Sequence, residues 1–189
     1  MSIASALLPL LACVYLFASL FVLATRKPGY SHLLHTISEI GEVGAPDQRF
    51  VGWGLFLPLG LAFLPGAILL QNAAPAVAAL CLCIAVGYLA AAVFPCDAGS
   101  PVSGSARQGM HNLGGAIEYI GGGLALLAAA KTFDVPGRIA AYVVLAVAVA
   151  LTVLPAGTPR GLLQRVGEIV LFSSAAWLVW LAAPHIGAT

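Results

Sequence analysis

The sequence predicts an all-α, polytopic six-helix transmembrane bundle, and three observations predict it. The chain is 61% hydrophobic and only 8% charged, where soluble domains carry about 25% charged residues. Its mean hydropathy is +1.01. Its apolar residues gather into six stretches of roughly twenty residues, the length that crosses a hydrocarbon core of about 30 Å. We read all 189 residues as one integral membrane domain.

The expected spans are Ile3–Thr25, Phe50–Leu70, Ala76–Phe94, Met110–Ala130, Arg138–Leu154 and Gly161–Ala183. The first is too long for a signal-peptide core, has no positive segment before it and ends on Arg26-Lys27, as a retained span does. Gln71-Asn72 with Pro75 marks the turn between spans two and three, and Lys131–Pro136 and Pro155–Pro159 mark later turns. Pro58, Pro65 and Gly66 interrupt the second span, which a membrane helix tolerates when neighbours satisfy the freed carbonyls.

Charge excludes some functions and suggests an orientation. A net charge of +1 and a pI near 7.7 provide no basic field for nucleic acid. The connections after spans one, three and five share one side and hold Arg26, Lys27, Arg49, Arg107, Arg160 and Arg165, while the other side holds Lys131 and Arg138. This asymmetry places the odd-numbered connections in the cytoplasm and both termini outside. The three connections open to one face whichever way the chain is inserted.

The first connection, Arg26 to Glu42, has Leu33, Leu34, Ile37 and Ile40 at helical spacing and His32, His35, Ser38, Glu39 and Glu42 between them. It reads as a short amphipathic segment able to lie in the headgroup layer or fold over the bundle. His32, His35 and Glu39 also stand at i, i+3 and i+7, a spacing that permits a metal, though two histidines on one short helix are common without one.

The third connection opens Phe94-Pro95-Cys96-Asp97, which puts a thiol and a carboxylate at the membrane boundary, or else a turn satisfied by its own aspartate. Cys13, Cys81 and Cys83 lie in apolar helices and read as packing groups. The fourth span brings His111, Gly115, Glu118 and Gly122 onto one face, with Glu118 about 10 Å deeper than His111 at 1.5 Å per residue. A carboxyl at that depth must be paired, hydrated or functional. In the last span Arg165 and Glu168 stand three apart, so Glu168 also enters the bundle. We expect one polar pocket, with His111, Asp97 and Glu118 as candidate acid–base groups. Ser38, Glu39, Arg107, Arg165 and Glu168 are its candidate ligand-binding groups, the arginines serving a phosphate.

These motifs carry a resemblance. Pro28-Gly29-Tyr30-Ser31, Thr36-Ile37-Ser38-Glu39-Ile40-Gly41, Phe94-Pro95-Cys96-Asp97, His111-Asn112 and Gly161-Leu162-Leu163-Gln164-Arg165 run in order along the chain. Together they resemble a prokaryotic six-span membrane family catalogued as domain of unknown function 998. A more distant similarity runs to six-span proteins of the Frag1, DRAM and Sfk1 type, which implies a connection with lipid remodelling or distribution. The family often carries a second cysteine where this chain has Ser100, which weakens a family-wide disulfide or two-cysteine metal site. The resemblance implies residence in a prokaryotic inner (plasma) membrane and supplies no activity.

Two functions follow as expectations. One is a polar pocket at a membrane face that binds, and in a stronger version remodels, a lipid headgroup, with membrane lipid as the partner. Chemistry there would draw on Ser31, Ser38 or Cys96 as nucleophile, since no nucleophile elbow or metalloprotease helix is present. The other is a proton-coupled small-solute transporter using Glu118 and Glu168. No metal or cofactor is assigned. A retinal lysine would lie inside a span, whereas Lys27 and Lys131 lie at ends, and His111 and His185 fall near opposite surfaces, unsuited to a shared haem.

Overall fold

The structure, a computed structural model, describes residues 3–133 and 137–185. The second half of the expected Lys131–Pro136 connection, the first two residues and the last four lie outside them. The described residues form six helical rods: α1 Ile3–Arg26, α2 Gln48–Leu69, α3 Pro75–Val93, α4 Ala106–Phe133, α5 Gly137–Val153 and α6 Arg160–Ala182. Five are long and apolar enough to cross a membrane, and the shorter apolar α5 has 17 residues. A polytopic helical bundle is therefore the architecture.

The rods close into a ring in which each packs on its sequence neighbours and α6 returns to α1, while α3 meets α6 across the middle. Aromatic side chains fill that crossing. Phe63 and Phe172 meet edge to face at 4.9 Å between centroids, and Tyr88 meets Phe172 at 5.6 Å. Small residues let α2 approach α3 closely: a Cβ on Gly60 would come within 2.7 Å of Leu89 and 3.1 Å of the Ala85 carbonyl. Large apolar side chains such as Phe21, Ile68, Val149 and Trp180 cover the outside. Such a surface is suited to lipid and would be a liability in water.

Two helices change register where polar chemistry enters. A π-helical turn covers Val51–Phe56 in α2, just before Pro58, and another covers Ile117–Gly121 in α4. The second lies between Gly114-Gly115 and Gly121-Gly122-Gly123 and carries Glu118. Such π turns widen the backbone spiral and concentrate at functional positions.

The first connection differs from a continuous amphipathic helix. It is a run of turns with one 3-10 turn, Ser38–Gly41. The expected division into an apolar and a polar side does not hold either: Ile37 and Ile40 are buried, but so are Thr36 and Glu39, while Leu33 and Leu34 are exposed. Local side-chain bonds compete with the helix. The Ser31 hydroxyl accepts from Leu33 and Leu34 N–H, His35 Nδ1 accepts from Ser31 N–H at 2.8 Å, and Gly29 turns the chain at φ +74°. Thr36 and Glu39 bond reciprocally, Thr36 N–H donating to Glu39 Oε1 at 2.7 Å and Glu39 N–H to Thr36 Oγ1 at 3.4 Å. This is the logic of a capping box.

Candidate functional site

The three odd-numbered connections meet on one face, as their polar character predicts. Val43 N–H donates to the Cys96 carbonyl at 2.9 Å, and Gly99 N–H to Glu42 Oε2 at 2.7 Å, joining the first connection to the third. Lys27 donates to Glu42 Oε1 at 2.7 Å and to the Glu39 carbonyl. The first connection is also stapled to α6. Ile37 N–H donates to Gln164 Oε1 at 2.7 Å, and Leu162 N–H to the Leu33 carbonyl at 3.0 Å. Arg165 donates to the His35 carbonyl, the Gly161 carbonyl and the Tyr30 hydroxyl at 3.1, 2.8 and 2.7 Å, and lies 3.0 Å from His32 Nδ1.

Beneath this lid is a cavity of about 310 Å³, at the low end of the roughly 300–1,000 Å³ of ligand pockets. Ser38, His111, Asn112, Glu118, Arg160 and Gln164 supply its polar wall, and Ala116, Ile120, Ala148 and Leu151 its apolar wall. Val102 and Ile120, both on the wall, are 55% and 47% exposed. The opening therefore reaches the outer surface between α4 and α5. Helix α5 lies along the π turn and second half of α4 and makes no extensive contact with Ala106–Ala116. That separation leaves the side opening.

Of the expected site residues, Ser38, His111 and Glu118 line the cavity together. Their partners fix them. His111 Nδ1 is 2.8 Å from the Phe94 carbonyl and its Nε2 is 3.0 Å from Ser38 Oγ. Glu118 is buried, and its Oε1 has no hydrogen-bond partner. Beside it Glu168 accepts from Tyr88 at 3.0 Å and from Tyr119 at 2.6 Å. No cation lies within salt-bridge distance of either acid among the described residues.

The other expected members lie elsewhere. Asp97 does not reach His111; it accepts from Ser105 N–H, the Ser105 hydroxyl and Arg107, each at 2.7–2.8 Å. The Ser105 bonds, then Arg107, hold its carboxyl below the usual carboxylate range. Arg107 is occupied by Asp97 and the Pro95 carbonyl, Arg165 by the lid and Glu39 by Thr36. Cys96 is 1% exposed, its Sγ donates to the Ser38 carbonyl at 3.3 Å, and burial pushes the thiol up to about 12. It is a poor nucleophile at neutral pH. His32, His35 and Glu39 spend their side chains on separate partners, and no three His, Cys, Asp or Glu groups converge among the described residues.

The residue that sequence reasoning left as a topology marker is Arg160. It is buried, donates to the Ser100 carbonyl at 3.1 Å, leaves Nε without a partner and lines the cavity. No carboxylate pairs with it among the described residues. A usable signal existed: Arg160, Gln164 and Glu168 recur every four residues and form one polar stripe on α6.

One family model matches the chain along residues 10–184. The chain belongs to the family described as protein of unknown function (DUF998). No curated protein and no solved structure matches it, so the distant similarity to Frag1-type proteins remains an expectation from sequence.

Proposed function

We propose that this family member binds the anionic headgroup of a membrane lipid in the cavity beneath its lid. Arg160 carries the reading. A buried guanidinium without a carboxylate is costly, and an anion bound in the cavity that Arg160 lines offsets that cost through a charge-assisted contact. The side opening between α4 and α5 and the apolar wall of Ala116, Ile120 and Leu151 suit the hydrocarbon part of such a ligand. Arg160 thus takes the phosphate role first expected of Arg165 and Arg107, whose donors are engaged. The family resemblance supports a prokaryotic plasma membrane, and the basic asymmetry supports termini outside the cytoplasm.

The test is lipid analysis of protein purified in mild detergent, with Arg160→Gln beside wild type. Loss of a charge-assisted contact of about 1.5–3 kcal/mol lowers retention of anionic lipid by about ten- to a hundredfold. Competition by inorganic phosphate without any retained lipid assigns the anion to solution instead. Equal retention by both proteins overturns the reading.

One observation favours the second reading, a proton-coupled transporter: the buried Glu118 carboxyl, one oxygen of which has no partner, belongs to a residue that lines the same cavity. Uptake into proteoliposomes that varies with pH and vanishes in Glu118→Gln, without retained lipid, selects it.

A further inference from the structure

We propose that Ser38 is an acyl-transfer nucleophile, with His111 as its general base, acting on a carboxylic ester of an anionic membrane amphiphile. The substrate class rests on the binding reading above; the Ser38–His111 pair rests on its own geometry. The Phe94 carbonyl can only accept, so His111 Nδ1 carries the proton that bridges their 2.8 Å separation. A neutral ring protonated there presents a lone pair at Nε2. The Ser38 hydroxyl, 3.0 Å away, then donates to it. A hydroxyl held on a base that a third group orients is the general form of an activated serine. Here the orienting group is a backbone carbonyl.

The position is held from both sides. Ile37 N–H is bound by Gln164 Oε1 at 2.7 Å, and the Ser38 carbonyl by Cys96 Sγ at 3.3 Å. Ser38 therefore sits on a backbone anchored to α6 and to the third connection, its hydroxyl on His111, and it lines the cavity that Arg160 also lines. Arg160 is the cation on that wall, so an amphiphile whose anion it binds has its ester confined to the same small space.

The step balances as follows. Ser38 Oγ attacks the ester carbonyl while its proton passes to His111 Nε2. The carbonyl re-forms as the bond to the alcohol oxygen breaks, and that oxygen takes the proton from Nε2. The products are an acyl-Ser38 ester and a free alcohol. Water from the membrane face, or a second lipid alcohol, then loses its proton to His111 Nε2 and attacks the acyl group; the bond to Ser38 Oγ breaks, that oxygen takes the proton back from Nε2, and an acid or a new ester is released.

An alkyl fluorophosphonate tests this, since an activated serine forms an Oγ–P bond and expels fluoride. The purified full chain is incubated with the probe, digested and mapped by mass spectrometry, and retained lipid is measured in the same preparation. The expected result is modification at Ser38 that is absent in Ser38→Ala and at least about 100-fold slower in His111→Gln, the scale of lost general-base assistance. The wild-type result decides alone, so a folding defect in a variant does not rescue the proposal. Retained anionic lipid with Ser38 unmodified overturns the nucleophile and leaves the binding reading standing. Ser38 modified without retained lipid supports the nucleophile and overturns the binding reading.

Discussion

Tyr119 donates its hydroxyl to Glu168 at 2.6 Å, and both side chains are buried in the bundle. Together with Tyr88 on the other carboxyl oxygen, it lets an acid sit deep among helices without a cation. The approach depends on Gly167, where a Cβ would come within 2.7 Å of the Tyr119 ring. Tyr119→Phe removes the bond and leaves the ring. The expected outcome is a loss of about 1–3 kcal/mol, the cost of stranding one side of a buried polar group, read as a lower thermal midpoint in detergent. An unchanged midpoint would show that Glu168 finds another donor.

Gly161 carries a second prediction. Any Cβ there would run into the His35 and His32 carbonyls, because the first connection lies directly on the start of α6. Those atoms are backbone and cannot rotate away. Gly161→Ala therefore lifts the lid from α6, strips Arg165 and Gln164 of their partners, and costs more than about 2 kcal/mol. Limited proteolysis should then cut between Lys27 and Glu42, a segment protected in wild type. Gly115, where a Cβ meets nothing within 4 Å, accepts alanine without that cleavage and serves as the control.

The contrast between Arg160 and Arg165 shows how far the sequence could be read. The spans were legible because lipid imposes one length and one composition on every crossing. The depth of Glu118 and Glu168 was legible too, because helical spacing converts residue number into distance along the axis. Arg160 and Arg165 look alike on paper, five residues apart at the mouth of one helix. Their difference comes from Gly161, which brings the first connection close enough to engage Arg165 and leaves Arg160 facing the cavity. The Ser38–His111 contact spans 73 residues, and no local pattern encodes a pairing at that distance. The expected helix in the first connection failed for a local reason, since serine, histidine and glutamate side chains bind the backbone groups a helix would use.

Cys96 offers a chemical check of the lid. Burial pushes its thiol up to about 12, and it is 1% exposed. At pH 7.5 only a trace is thiolate, and the thiolate is the reacting form. Iodoacetamide or maleimide should leave Cys96 unmodified over hours in the folded protein and modify it within minutes once denaturant is added. Rapid modification of the native chain would mean that the first and third connections separate in solution.

The lid also makes stability depend on pH through His32. Burial, and then the Arg165 guanidinium 3.0 Å from its Nδ1, hold its pKa below the usual 6.5. The neutral ring accepts a hydrogen bond from Arg165; a protonated ring would lose that acceptor and bring two cations together beside the Phe21 and Tyr30 rings. Because the folded value is depressed, the unfolded chain binds the proton more readily. The contribution is present above about pH 6.5 and is lost as pH falls through the lower folded value. Thermal midpoints of wild type and His32→Gln should therefore converge as pH falls from 7.5 to 5, wild type losing more than the variant. A gap that stays constant across that range would remove His32 from the pH response and leave its contact with Arg165 as packing alone.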